Sequence, residues 1–482
     1  MFVRTVAWVS TLPRTIQQML EHPPAVGSRL QVAGHVKSIR KFKNIGFLDL
    51  SDGSTYKTLP IVFRHPDQVL AQYDLKVGQS LEISGDLAES KGVQSFEVTF
   101  DPADDSHHLK IIGNVQDSYP IQKKETSLQF LRSIPILRHR TSTLASVLRL
   151  RSFLEHELNV FFAEHSFTKV TPPMITSSDC EGGGEQFTIE PLNPKEVVKD
   201  GMAVKHEFFG KPAYLTVSTQ LHLEVLAPSL NRVWTLTPCF RAEDSNTNRH
   251  LSEFWMLEAE ISYISQLSQL TRFTEVMIRH LTSQLSNNRE DVLNSRYNKA
   301  DRELIEVRWN SILAENDWPV ITYDEAINLI NQVKLKGRSK GRLAWGDSIS
   351  TEDEKWLAGD HFHSPVFITD YPKSQKPFYM PHSKNYNISA PTVACFDLIF
   401  PFIGELIGGS LREDNYEVLV AEMNRRNMDL VEMDWYLSTR LNGSVPHGGF
   451  GMGLERLMLY LSGLENVRDV VTFPRAPETC DC

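Results

Sequence analysis

The sequence predicts an α+β protein in two parts, a small N-terminal β-barrel and a larger domain whose antiparallel β-sheet is flanked by helices. Between residues 27 and 112, five short segments of alternating apolar and polar residues are separated by turn residues, a pattern typical of a small closed barrel. Beyond residue 142, helical patterns and apolar β runs follow in no regular βαβ order, which favours a largely antiparallel sheet. The length of 482 residues fits two or three domains.

The first part, residues 15–112, is predicted to be a five-stranded barrel of the OB type. Its strands are expected at residues 27–36, 45–50, 59–63, 80–84 and 95–99. The basic segment Lys37–Lys43, which contains Arg40, precedes the strand that carries Phe47. Cations beside an aromatic ring are the usual means of binding single-stranded nucleic acid. The same residues would also fit a solvated bend beside a core phenylalanine.

Residues 113–141 are predicted to form a linker, because prolines interrupt a basic and polar stretch. The helical pattern of residues 142–166 then opens the second domain, residues 142–482. A strand ending at Pro172 and Pro173 follows it.

The N-terminal residues 1–14 differ in composition from the rest of the chain. They combine Arg4 and Arg14 with hydroxyl and bulky apolar side chains, and the first acidic residue is Glu21. This pattern predicts a mitochondrial transit peptide, with a short helical N-terminus as the alternative. No run of about 18 apolar residues occurs, so no membrane-spanning helix is expected. Because the formal net charge is −10, nucleic-acid binding would depend on local basic patches.

The segment Phe240–Glu260 reads as a β-hairpin with a polar bend. A strand continuing to Glu243 would place Arg241 and Glu243 on one face, and the return strand would add Phe254 and Glu258 to that face. Carboxylates at this density repel one another unless cations or a polar ligand satisfy them. The hairpin is therefore interpreted as a binding surface, with a row of structural salt bridges as the alternative.

A glycine-rich loop is predicted immediately before a helix near the C-terminus. Four glycines lie between Pro446 and Leu454, and Leu454, Leu457, Met458 and Leu461 then follow helical spacing. Arg456 falls in the first turn, where the helix dipole disfavours a cation. A bound polyanion would reverse that effect, so the segment indicates an anion site.

A third candidate segment runs from Phe396 to Glu413. Glu405 follows an almost wholly apolar run, so a buried carboxylate is expected there. Mg²⁺ bridging phosphates is a suitable partner for such a group, and a capped helix start with a Glu–Arg pair is the alternative.

These segments resemble the signature motifs of the class II aminoacyl-tRNA synthetases. Residues 171–175 resemble motif 1, residues 240–260 motif 2 and residues 449–461 motif 3. An N-terminal OB domain is similar to the aspartate, asparagine and lysine subgroup. The asparaginyl-tRNA synthetases are the most similar, over nearly the whole chain from about Thr15. Segments such as residues 119–124, 178–185 and 253–258 carry this likeness.

The resemblance implies ATP-dependent activation of asparagine and its transfer to the 3′ end of tRNA(Asn). Arg241 on the α-phosphate and Arg456 on adenine would be catalytic, and Glu405 would bind Mg²⁺. The ATP-binding residues would be Arg241, Glu243, Arg249, His250, Phe254, Glu405, Gly453 and Arg456. The amino-acid-binding residues would be Glu181, Gln220, Glu258 and Arg412. Arg40 and Phe47 would contact the tRNA anticodon, with Phe47 stacking on a base.

The resemblance further implies a homodimer through motif 1. The N-terminal composition predicts a location in the mitochondrial matrix, with the cytoplasm as the alternative. Two other functions stay open. The chain could be an aspartyl or non-discriminating synthetase, since a carboxylate substrate beside Arg412 differs from an amide in the cations it needs. It could also be a non-catalytic RNA-binding relative, although Arg241, Phe254, Glu405 and Arg456 are all present. A small-molecule asparagine synthetase on the same fold is disfavoured, because it should lack the N-terminal barrel.

Overall fold

The computed structural model describes residues 12–90, 92, 94–177, 186–193, 195–199, 202–285, 289–296, 298–334, 341–384 and 386–482. The described residues form two compact units, drawn from Met1–Ser146 with Glu290–Tyr297 and from Val147–Arg289 with Asn298–Cys482. Residues 1–11, the greater part of the predicted transit peptide, lie outside the described part. The predicted domain and linker boundaries stay predictions.

The first unit contains a closed five-stranded barrel, as predicted. Its strands are β1 (Arg29–Lys41), β2 (Ile45–Ser51), β3 (Leu59–Arg64), β4 (Ser80–Glu89) and β5 (Phe96–Phe100), and β6 (His108–Gly113) is an additional strand beside β4. The sheet runs β1-β2-β3-β5-β4, and pairing of β1 with β4 closes it. Every second side chain points inward, so each strand contributes to the core: Val32, Leu48, Ile61, Ile83 and Val98.

Helices accompany both the barrel and the second sheet. They are α1 (Ile16–Glu21), α2 (Pro66–Tyr73), α3 (Leu128–Arg132), α4 (Ser142–Glu164), α5 (Gln220–Leu230), α6 (Leu267–Gln284), α7 (Arg289–Asn294), α8 (Lys299–Leu313), α9 (Tyr323–Lys334), α10 (Thr351–Trp356), α11 (Tyr416–Arg425), α12 (Asp434–Leu441) and α13 (Leu454–Ser462). Among them, α4, α6 and α9 match to within two residues the helices that apolar periodicity predicts at residues 142–166, 267–285 and 324–333. None of the described helices is both long and apolar enough to cross a membrane.

The second unit is built on an eight-stranded, largely antiparallel sheet, which confirms the predicted fold class. In spatial order its strands are β14 (Val320–Thr322), β15 (Val366–Thr369), β16 (Cys395–Phe400), β17 (Gly404–Leu411), β18 (His447–Gly453), β13 (Glu253–Ser262), β12 (Arg232–Phe240) and β7 (Thr168–Lys169). Among the described pairings of this sheet, only the two outermost are parallel. Two small antiparallel pairs accompany it: β8 (Ile175–Thr176) with β11 (Tyr214–Leu215), and β9 (Glu196–Lys199) with β10 (Met202–Lys205).

Two local predictions about this sheet were wrong. The first arm of the predicted hairpin does not continue to Glu243, because β12 ends at Phe240 and a loop runs to Ser252. The predicted glycine-rich loop before α13 is instead β18, a central strand between β13 and β17. Its glycines permit close packing: a Cβ at Gly449 would lie 2.1 Å from Glu260 Oε2.

Candidate active site

A cavity of about 370 Å³ opens on the face of the central strands of the second unit. It is lined by all of the predicted site residues of this unit that the structure describes: Gln220, Arg241, Glu243, Arg249, His250, Phe254, Glu258, Glu405, Arg412, Gly453 and Arg456. Glu181 lies outside the described residues. The tertiary structure thus gathers groups that are up to about 236 positions apart in the sequence.

Arg241 and Phe254 form the first pair at this cavity. The Arg241 guanidinium lies 5.5 Å from the centre of the Phe254 ring, within the range of a cation–π interaction. Glu243 is 4.0 Å from Arg241 and partly exposed. Although the loop replaces the predicted strand, the Arg241 amide still donates to the Ser252 carbonyl at 3.0 Å, which holds Arg241 at the base of the hairpin.

Arg249 is anchored from two sides. Its Nη1 donates to the Ile403 carbonyl at 2.6 Å, and its Nη2 donates to Thr351 Oγ1 at 2.7 Å. Both acceptors are uncharged, so the guanidinium keeps its charge available to an anion. Burial and the nearby Arg456 lower the pKa of Arg249 from its ordinary value.

His250 lies in the same loop beside two hydroxyl groups. Its Nδ1 is 3.1 Å from Ser245 Oγ and 2.6 Å from Thr247 Oγ1. Burial and then the charge of Arg456 lower the pKa of His250, so the neutral ring is favoured. A polyanionic ligand would oppose the effect of the neighbouring cations.

Arg456 and Glu405 meet at the N-terminal end of α13. Arg456 lies in the first turn, as its spacing predicts, and its Nη1 donates to the Glu405 carbonyl at 3.0 Å. The Glu405 carboxylate is 3.9 Å away. The prediction of a buried carboxylate was wrong, because the Glu405 side chain is 45% exposed. Its strand borders the cavity, so the apolar run before it does not bury its carboxyl group.

Further carboxylates surround Glu405. A Cβ at Gly408 would lie 3.2 Å from Glu405 Oε1 and 3.6 Å from Asp397 Oδ1, so both oxygens face the same small space. Asp397 pairs with Lys376 Nζ at 2.6 and 2.8 Å. Burial, followed by the charges of Glu405 and Asp397, raises the pKa of Glu354 to about 7. The carboxylate oxygens of Glu405 and Asp397 fit Mg²⁺, which prefers carboxylate and water ligands.

At the opposite end of the cavity, Arg412 and Glu260 form a buried pair. Arg412 Nε donates to Glu260 Oε1 at 3.2 Å, and Nη2 donates to Oε2 at 3.0 Å. Arg412 Nη1 also donates to Ser410 Oγ at 2.8 Å. Although burial opposes the charged form, Glu260 and Glu224 together raise the pKa of Arg412. This end of the cavity therefore offers both donors and acceptors but little excess positive charge.

Glu258 is already satisfied by the protein. Its carboxylate accepts hydrogen bonds from the hydroxyls of Ser218 and Thr219 and, at 2.9 Å, from the Thr219 amide. It still lines the cavity. These contacts fix the chain just before Gln220, which begins α5.

In the barrel unit, Arg40 and Phe47 lie on paired positions of β1 and β2. The Arg40 guanidinium is 5.6 Å from the centre of the Phe47 ring and 3.3 Å from Asp49. Phe42, which is 60% exposed, meets Phe47 edge to face at 5.8 Å between ring centres. The structure thus places two aromatic rings and a cation together on the barrel surface.

Several residues that line the cavity have no role predicted from the sequence, including Glu260, Lys376, Tyr379 and Asp397. A signal was present for Glu260, which is two positions from Glu258 and therefore on the same strand face. Lys376 and Tyr379 come from the segment between β15 and β16, whose position depends on tertiary contacts.

The chain belongs to the class II tRNA synthetases of the D, K and N type, whose family model matches residues 128–477. This finding confirms the resemblance predicted from the three motifs.

Within that family, the chain is 45% identical to the mitochondrial asparagine–tRNA ligase of Saccharomyces cerevisiae over 465 residues, 92% of each chain. It is 37% identical to the asparagine–tRNA ligase of Bacteroides fragilis, covering 94% of this chain and 96% of that protein. Among solved structures, it is similar to asparaginyl-tRNA synthetase from Pyrococcus horikoshii complexed with asparaginyl-adenylate. That match has a TM-score of 0.81 and 27% identity, and it covers 98% of this chain and 100% of the other.

Proposed function

We propose that this protein is an asparagine–tRNA ligase. It activates asparagine with ATP to form asparaginyl-adenylate and transfers the asparaginyl group to the 3′ end of tRNA(Asn). The observation that carries the proposal is the division of the cavity. Arg241, Arg249 and Arg456 lie at one end, and the Arg412–Glu260 pair lies at the other. Relatives named for this activity support it over almost the full length of the chain.

The cationic end is suited to ATP. In the first step a carboxylate oxygen of asparagine attacks the α-phosphorus, the bond to the bridging oxygen breaks, and pyrophosphate leaves. Since two anions must meet, charge neutralisation and alignment are the main contributions of the protein. Arg241 would contact the α-phosphate, and Arg249 and His250 the outer phosphates. Phe254 would stack on adenine with Arg456 on its other face, while Glu243 and Gly453 border the nucleotide.

Mg²⁺ would be held by Glu405, with Asp397 close by. The ion would neutralise phosphate charge and fix the geometry of the outer phosphates. Arg456 Nη1 donates a hydrogen bond to the Glu405 carbonyl, and this contact would hold β17 in a fixed position relative to the nucleotide.

The other end is suited to a side-chain amide. Arg412 can donate to the amide oxygen and Glu260 can accept from the amide nitrogen. Aspartate would place a second carboxylate beside Glu260, where Arg412 already has an anionic partner. Asparagine is therefore favoured over aspartate. Gln220 and Glu258 would face the α-amino end, and Glu181 is proposed there from the family resemblance.

The barrel, residues 15–112, is proposed to bind the anticodon through Phe47 and Arg40, with residues 113–141 as linker and 142–482 as catalytic domain. A homodimer through the motif 1 segment is supported by exposed apolar side chains there, Met174 and Ile175.

The proposed location is the mitochondrial matrix, supported by the yeast relative, which is named as mitochondrial. The similarity to a bacterial ligase keeps the cytoplasm as the alternative, and imaging of a C-terminally tagged chain tests between them.

The decisive experiment is amino-acid-dependent ATP–pyrophosphate exchange with the purified protein, comparing asparagine, aspartate and lysine. Exchange with asparagine alone is the expected result. Exchange with aspartate would identify an aspartyl or non-discriminating enzyme. A complete lack of exchange with all three would favour a non-catalytic RNA-binding role.

A further inference from the structure

Glu224 lies behind the amino-acid end of the cavity and does not line it. Its side chain is fully buried on α5, one helical turn after Gln220. Gln220 does line the cavity. Gln220 Nε2 donates to Glu224 Oε1 at 3.0 Å. Glu224 can therefore influence a ligand only through neighbouring residues that line the cavity, such as Gln220.

The two oxygens of Glu224 have separate partners. Oε2 accepts from Arg440 Nη2 at 2.6 Å and from the Tyr436 hydroxyl at 2.7 Å, and it lies 3.2 Å from His447 Nε2. Oε1 is left for Gln220 and lies 3.8 Å from Arg412 Nε. This arrangement stabilises the carboxylate: although burial opposes it, Arg440 and His447 lower the pKa of Glu224.

An ionised carboxylate accepts hydrogen bonds and donates none, whereas a glutamine amide has one accepting and one donating end. A bond to Glu224 Oε1 therefore requires the NH₂ group of Gln220 to point away from the cavity. The carbonyl oxygen of Gln220 is then the end available to a ligand. An α-ammonium group has three donors and no acceptor, so it can bind only the carbonyl end.

We propose that Glu224 is a positioning residue that sets the orientation of the Gln220 amide and thereby enables recognition of the substrate's α-ammonium group. This inference rests on the proposed function, because it takes the ligand to be an amino acid. Glu224 acts through Gln220 and does not itself contact the substrate.

Glu224→Gln tests the orientation directly. The three donors around Oε2 should attract the carbonyl oxygen of the new amide, which turns its NH₂ group toward Gln220. Gln220 must then rotate and present NH₂ to the ammonium group. We expect the KM for asparagine in ATP–pyrophosphate exchange to rise about tenfold or more, as for a polar contact left unpaired. The KM for ATP should change less than about twofold.

A ligand without the ammonium group separates this effect from a general loss of structure. Succinamate keeps the amide and the carboxylate of asparagine but lacks its α-amino group. Glu224→Gln should weaken the binding of asparagine, seen as a higher KM, but leave the inhibition constant of succinamate nearly unchanged. Tyr436→Phe is the matched control, because it removes one hydrogen bond to Oε2 and keeps the contact between Oε1 and Gln220. Its KM for asparagine should stay near that of the wild type.

The exchanged pair Glu224→Gln with Gln220→Glu covers the case in which the single variant does not fold, since it restores the net charge of the cluster. The carboxylate introduced at position 220 would accept hydrogen bonds on both sides, from the amide introduced at position 224 and from the ammonium group, so asparagine binding should recover.

Three results would overturn the proposal. The first is a folded Glu224→Gln variant that keeps the wild-type KM for asparagine. The second is an equal weakening of asparagine binding and succinamate binding in that variant. The third is an exchanged pair that folds but does not recover asparagine binding. A wild-type protein without asparagine-dependent exchange would refute the proposed function instead.

Discussion

Arg412 and Glu260 face each other in the wall of the cavity, joined by two hydrogen bonds of 3.2 and 3.0 Å. Both are almost completely buried. Their charges cancel at the site where the side chain of the amino acid is proposed to bind. Selectivity should therefore depend on keeping this pair electrically neutral.

Glu260→Gln should reduce the preference for asparagine over aspartate. Without the negative charge of Glu260, the positive charge of Arg412 is not neutralised by this partner. The side-chain carboxylate of aspartate can then form an ion pair with Arg412. We expect the ratio of kcat/KM for asparagine to that for aspartate to fall about tenfold or more. ATP–pyrophosphate exchange with each amino acid measures the ratio. Glu253→Gln, at an exposed position of the same strand, should leave the ratio unchanged, and an unchanged ratio in Glu260→Gln would contradict this role.

Arg456→Ala should reduce adenylate formation by about 100- to 1000-fold, because it removes a cation from the proposed nucleotide end of the cavity. Binding of tRNA, measured by filter binding, should remain nearly intact since the barrel is proposed to contact the anticodon. Lys299→Ala, at an exposed lysine of α8, is the control. Normal exchange in Arg456→Ala would remove Arg456 from the assigned site.

Thr351→Val should raise the KM for ATP about three- to tenfold, because it removes the hydroxyl that holds Arg249 Nη2 at 2.7 Å. The KM for asparagine should change little, since Thr351 is not among the residues at that end. Steady-state exchange at varied ATP and varied asparagine separates the two constants. Equal changes in both would indicate a general structural defect.

Phe47→Ala should lower kcat/KM for tRNA about tenfold or more, through loss of a stacking surface. The defect should appear in aminoacylation of tRNA(Asn) rather than in exchange measured without tRNA. Val26→Ala, at an exposed apolar position within residues 15–112, serves as the comparison. Full charging efficiency in Phe47→Ala would contradict anticodon stacking at this position.

Acid should weaken the ionic cluster that Glu422 forms with Lys373, Arg425 and Arg426. Despite its burial, Glu422 accepts from Arg425, Arg426 and Lys373, which lower its pKa to about 2. The ordinary value is 4.5, so this stabilisation is complete above that pH and is lost as the pH falls toward 2.

Glu422→Gln should therefore lower the free energy of unfolding by about 2 kcal/mol at pH 7, after allowance for solvent screening. The difference from the wild type should shrink as the pH is lowered from about 5 to about 3.5. Urea unfolding at several pH values measures it, and Glu432→Gln, at an exposed site, is the control. A difference that does not depend on pH would indicate that lost packing, rather than charge, is responsible.

Local patterns were sufficient for much of this fold. Alternation at period 2 located all five strands of the barrel, and apolar spacing placed α13 and Arg456 correctly, because both signals arise from the residues of one element. The errors concern features that depend on neighbouring elements. The glycines after Pro446 are typical of a loop, yet they lie in the central strand β18. Glycine is needed at position 449 because Glu260 and Ala259 of the neighbouring strand β13 leave no room for a Cβ.

The sequence by itself determined the two-part architecture, the three motifs and most of the charged residues that line the cavity. The tertiary structure decided their pairing: that Arg412 neutralises Glu260, that Thr351 holds Arg249, and that Glu224 contacts Gln220. Two of these three pairs join residues more than 100 positions apart in the chain. Charge and hydrogen-bond partners are set by distances in space, which periodicity along one strand or helix does not specify.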